Sequence, residues 1–302
     1  MSDVVIPESG PDFEAMMREI DSAFARDGLA IQNRSIHAVM AVGKRFKVSM
    51  PLVALPPGAP HELQQFAQLS RNIHDWYTAA YGDRTKTDFS PGKTVLIIEG
   101  DLYRLSLPRI YGSVRFIAVR KFSERKTFTR GPAICNVLQL VESLTPAKAA
   151  SLSDELIKEI FEKFVLASEA HYLLEAIRHH KLIQIARGDI QTAVTSLMDG
   201  ARSGESKWAS LQAAEKILKA TIELRGKNYK FGHELSAHCL QLTSLGIIVD
   251  WDPLIRSIQC SAGIRYGDET CTRDEAVSAH QASLSLVVAL AKAGANLRRG
   301  LG

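Results

Sequence analysis

Apolar residues change their period along this chain, and the change limits the folds open to it. In TVLIIEGDLYRLSLP and SVRFIAVRKF, between residues 94 and 122, they follow a strand-like pattern. From Pro132 almost to the end they recur at helical spacing. Period two places one apolar face on a strand, and period 3.6 places one stripe on a helix. The first segment reads as two strands joined tightly at Glu99-Gly100-Asp101, where glycine supplies a backbone angle that other residues resist. The second reads as a third strand. The chain is therefore predicted to be α+β, with a mixed helix and antiparallel-sheet region followed by an all-helical, up-and-down bundle.

Upstream of the strands, residues 13–27 predict a helix with Asp12 as cap, Met16, Met17, Ile20, Ala23 and Phe24 as apolar stripe, and Gly28 at its end. Short strand-like runs are expected at 38–42 and 46–53, then a break at Pro56-Pro57-Gly58. A second helix is expected over 62–81. Downstream, helices are expected over about 153–180, capped by Ser153 or Asp154, and over about 182–198. The organisation that follows is an α+β domain over 1–150, a connecting helix over 151–184 and a helical bundle over 185–302.

With 302 residues the chain is long enough for about two domains of roughly 150 residues each. No apolar run approaches the roughly 20 residues that span a bilayer, and MSDVVIPESGPDFE lacks the basic-then-apolar order of a signal peptide. Cys135, Cys239, Cys260 and Cys271 stand far apart with no Cys-x-x-Cys pair, as free thiols in a reducing compartment do. A cytoplasmic protein without a membrane partner, metal or cofactor is expected. Ser90-Pro91-Gly92-Lys93-Thr94 imitates the end of a phosphate-binding loop, but Thr87 stands where its first glycine belongs and a strand follows where a helix is needed. His179-His180 diverge on a helix, and His233 and His238 lie five positions apart, so capping or solvated roles suit them better than metal ligation.

The net charge of +4 permits a polyanionic partner without demanding one. Basic residues crowd the strand region, among them Arg104, Arg115, Arg120 and Lys126, with Tyr103, Tyr111, Phe116, Phe122 and Phe128 interleaved. On one face of a sheet they would track phosphates beside stacking platforms. The alternative is a solvated sheet face above an aromatic core.

The segment from Trp208 to Cys239 says more. Leu211, Ala214, Ile217, Leu218 and Thr221 recur at helical spacing, Glu215, Lys216 and Lys219 surround them, and Arg225-Gly226 ends the run. The expectation is a core helix with Lys216 facing solvent, a short loop, and a second helix from His233. Ala213-Ala214-Glu215-Lys216, Leu218-Lys219-Ala220, Gly226 and Gly232-His233-Glu234-Leu235 together resemble the HEPN family. Ile264-Arg265-Tyr266-Gly267-Asp268 and a last helix from Asp274-Glu275-Ala276 through Leu297 agree with it. The resemblance covers about residues 185–298. It implies a bundle of four or five helices and engagement of nucleotide or RNA, in a stress, defence or toxin-type setting.

That family divides. Many members are metal-independent endoribonucleases with Arg, four to six residues, then His near the start of the last helix, often with a polar residue after the Arg. Here Arg273 and His280 fit, with Asp274 as the polar follower. Seven positions on a helix place both side chains on one face. An imidazole titrating near neutrality can then move the proton of a ribose 2′-hydroxyl while a guanidinium stabilises the phosphorus centre. Such members often pair their last helices, which implies a homodimer. Other members hold a nucleotide or a partner protein without cleaving, and a purely structural interaction module is a third alternative.

Overall fold

The computed structural model describes residues 6–51, 58–86, 90–122, 133–200, 202–295 and 297, with Glu62 described by its backbone alone. Two compact units divide the chain, Met1–Asp88 and Phe89–Gly302. The boundary expected near residue 150 therefore falls at 88.

The first unit is built from α1 (Gly10–Arg26), α2 (Ile31–Phe46) and α3 (His61–Tyr81), with a 3-10 turn at Gly82–Thr85. Phe13, Met16, Met17 and Ile20 of α1 are buried against Ala38, Val39 and Val42 of α2 and Leu69, Ile73 and Tyr77 of α3. Asp12 lies in the first turn of α1 rather than capping it. The strand runs expected at 38–42 and 46–53 are not strands where they are described. Burial at Ala38, Val39, Val42 and Gly43 follows the 3.6 period, and Lys47 ends α2 in the left-handed region at φ 57°. Among the described residues of this unit there is no strand. Arg34 pairs with Asp21 at 3.1 Å, and the Tyr81 hydroxyl donates to the same carboxylate at 2.5 Å. That bond to Asp21 raises the Tyr81 pKa, because the carboxylate favours the protonated phenol.

The second unit contains both the strands and the large helices. β1 (Lys93–Ile98) and β2 (Asp101–Ser106) form an antiparallel hairpin in which Ile98 opposes Asp101. The two turn residues, Glu99 at φ 48° and Gly100 at φ 90°, have the left-handed backbone that a tight hairpin requires. The third strand, β3 (Val114–Ile117), does not extend this hairpin. It pairs in parallel with β4 (Ala133–Asn136), giving two separate two-stranded sheets. The chain is thus α+β, but not with a single antiparallel sheet.

Helices follow: α4 (Pro146–Ser151), α5 (Asp154–Ala176), α6 (Lys181–Met198), α7 (Ser203–Leu224), α8 (Leu235–Ser244), α9 (Asp252–Ile258), α10 (Gly263–Tyr266) and α11 (Arg273–Lys292). A two-stranded hairpin is marginal in water by itself. Here Leu96, Ile98 and Leu105 enter one continuous core with Phe164 and Leu174 of α5, Ile217 and Leu218 of α7, and Leu284 and Val287 of α11. This shared core is why the strands belong with the helices and why α5 is a core element instead of a connector. α7 is buried along much of its circumference, with Leu211, Ala214, Ile217 and Leu218 buried as expected. Small residues let its backbone approach α6, and the Ser206 hydroxyl donates to the Ala193 carbonyl at 2.9 Å. α11 opens on a capping box in which the Thr272 side chain and the Glu275 carboxylate each accept a backbone N–H of the other residue.

Candidate functional site

Glu215 stands in the middle of α7, at a position that packing encloses. Its side chain is only 5% exposed, yet it holds Lys219 one turn on and the ring Nδ1 of His233 at 2.8 Å. Burial pushes the Glu215 carboxyl up, and its bonds to Lys219 and His233 outweigh that and hold it below the ordinary range. Lys216 does not face solvent as expected. It pairs with Asp189 of α6 at 2.8 Å and donates to the side-chain oxygen of Gln212 at 3.1 Å. Burial raises the Asp189 carboxyl against the pull of Lys216. The charges of Ala-Ala-Glu-Lys thus turn into the protein, because α6 and the loop after α7 cover the helix face that carries them.

That loop, residues 226–234, reads GKNYKFGHE. Its ends are set by the left-handed Gly226 at φ 71° and by His233, whose ring is tied to Glu215. Two of its carbonyls have partners on α8. Gln241 donates to Asn228 O at 2.8 Å, and His238 Nε2 lies 3.3 Å from Gly232 O. Tyr229 lies over the Lys219 ammonium, 5.1 Å from ring centroid to nitrogen. Phe231 meets Tyr229 edge-to-face at 6.4 Å and is 98% exposed. Lys227 and Lys230 of the same loop are also exposed. His233 is therefore neither a free surface group nor the first residue of a helix, since α8 begins at Leu235.

The Arg273 and His280 pair stands differently from its expectation. Both side chains face the β1–β2 hairpin. Arg273 donates to Gly100 O at 2.7 Å and keeps a 44% exposed side chain at the start of α11. His280 is fully buried, with Nε2 3.0 Å from Thr94 Oγ1 and Nδ1 without a hydrogen-bond partner. Burial, reinforced by the neighbouring His171, pushes the His280 pKa down to about 3. The two residues do not open into a common groove, because the hairpin lies along the face of α11 that carries them. Asp274 is exposed and accepts from Arg273 at 3.3 Å. His171 of α5, to which no motif in the sequence points, is buried beneath Gly92 and is pushed down to about 4 by burial.

The four basic residues expected on one sheet face are not brought together. Arg104 and Lys93 pair with Glu142 at 3.4 and 3.3 Å, and the Ser106 hydroxyl donates to the same carboxylate. Burial raises the Glu142 carboxyl, but Ser106 and these cations more than offset it. Arg120 donates to Asp154 at 2.5 Å and to Leu152 O at 2.9 Å. Arg115 is exposed on β3, in the other sheet from Arg104. Lys126 lies outside the described residues.

Sequence reasoning missed Lys227, Tyr229, Lys230 and Phe231. The signal was present, since two lysines and two aromatics alternate within five positions between two helices. The chain finds no match among protein-family models, curated proteins or solved structures.

Proposed function

We propose that residues 89–302 carry a HEPN-like bundle that engages RNA or a nucleotide as a binder and does not cleave it with Arg273 and His280. One observation carries this reading. Two of the fragments that carry the resemblance, Ala213-Ala214-Glu215-Lys216 and Gly232-His233-Glu234-Leu235, meet in space where Glu215 binds His233, and between them they hold a basic, exposed loop. A polyanion is the partner whose charge suits that surface.

Against acid–base chemistry stands the enclosure of His280. A general base must reach its proton directly or through one water, and a neutral, fully buried imidazole under a packed hairpin reaches neither. The setting implied by the resemblance, a stress, defence or toxin-type system, remains part of the proposal.

The test uses the full chain with fluorescent single-stranded RNA in EDTA. Expected are salt-sensitive binding and intact RNA. Absence of binding at low salt would remove the reading. So would cleavage that falls by about 10²–10⁴ in His280→Ala, the usual cost of losing an acid–base group.

A further inference from the structure

We infer that the loop over residues 226–234 is a stacking site for an unpaired base, with Phe231 as the platform and Lys227 and Lys230 as partners of the flanking phosphates. This rests on the RNA-engaging reading above and names the surface and the form of RNA. A large aromatic left 98% exposed forgoes the burial that its side chain would gain in a core. Here the loop that carries the ring has a built support. Tyr229 is seated on the Lys219 ammonium, Lys219 on buried Glu215, and the Asn228 carbonyl on Gln241. A loop held in this way loses little conformational entropy when a partner arrives.

The face of a phenyl ring stacks on any base, provided that the base is not already stacked in a duplex. Lys227 stands four positions before Phe231 and Lys230 directly before it, both exposed, so the short loop that carries the ring also carries two cations. Glu234 is the one acidic residue of the loop, next to the His233 ring that pairs with Glu215. Two exposed cations on the loop of an exposed ring suit a base with its phosphates better than they suit an apolar protein surface, where desolvating two ammonium groups would be costly.

The experiment titrates fluorescent single-stranded RNA with the full chain at several salt concentrations and compares it with a duplex of equal length. Phe231→Ala should weaken single-strand binding by about five- to a hundredfold, the range for one missing base stack. Phe231→Trp should retain it. Lys227→Gln with Lys230→Gln should make the slope of log affinity against log salt shallower by about 1.4, or about 0.7 for each phosphate of a single strand that is no longer neutralised. Thermal midpoints should match the parent, because no core group packs on these side chains. If the parent binds single strands and Phe231→Ala binds equally well, this site is wrong and the general reading survives. Duplex bound as tightly as single strand would likewise overturn stacking. A parent that binds no RNA at low salt would sink both proposals.

Discussion

Replacing Glu215 by alanine removes a carboxylate that is 5% exposed and leaves Lys219, itself only 11% exposed, without its ionic partner. His233 loses the same carboxylate but is largely exposed and can turn to water. The cost therefore falls mainly on Lys219. Stripping one partner from a buried pair costs about 3–5 kcal/mol. The lysine stem can carry its ammonium toward solvent, so the lower end, about 3 kcal/mol, is expected here. Urea denaturation of the full chain measures this directly. A second arm supplies the control, because Glu215→Ala combined with Lys219→Met should be less destabilised than the two single losses summed, by at least about 1 kcal/mol. Hydrogen exchange over residues 226–234 should also quicken in Glu215→Ala, since His233 and Tyr229 both lose their anchor. A single variant within about 0.5 kcal/mol of the parent, the range of an ordinary surface change, would refute the claim that this carboxylate organises the loop.

Two further outcomes follow from the buried histidines. With folded pKa values of about 4 for His171 and about 3 for His280 against about 6.5 unfolded, the unfolded chain binds the extra protons, so stability should fall as pH drops below about 6.5. Each contributes up to about 1.4 kcal/mol per pH unit, and His280→Phe should reduce the slope between pH 6 and 4 by about that amount; an unchanged slope would count against burial of a neutral ring. Gly92→Ala would place a methyl 2.0 Å from His171 Nδ1, so it should destabilise by about 1–3 kcal/mol, as overpacking does, and a parental urea midpoint would show that the hairpin is not seated there.

Much of the helical half was legible because it depends on local pattern. The stripe of Leu211, Ala214, Ile217 and Leu218 and the stop at Arg225-Gly226 follow from spacing and caps within one element, whereas the last helix, expected from Asp274 through Leu297, runs from Arg273 to Lys292. The hairpin was legible for the same reason, its turn being marked by Glu99-Gly100. α2 was misread because its valines favour strands one by one, while their burial period is set by what α1 and α3 cover. The parallel pairing of Val114 with Ala133 leaves no local mark, and neither does the docking of Thr94 on His280, 186 positions away. That second pairing decides the fate of the supposed catalytic pair. Glu215 and Lys216 looked like the solvated side of a helix, and only the packing of α6 and of the following loop turns them inward. Phe231 lay in what read as a short connection; the alternation of lysines and aromatics marks that loop, but it does not say that the ring stays exposed.

Hydrogen exchange of the full chain, with and without saturating single-stranded RNA, tests the account most directly. Slowed exchange centred on residues 226–234 and the start of α8, with the Arg273 end of α11 unchanged, is the predicted result. No change anywhere, or protection centred on Arg273 and its hairpin, would contradict it.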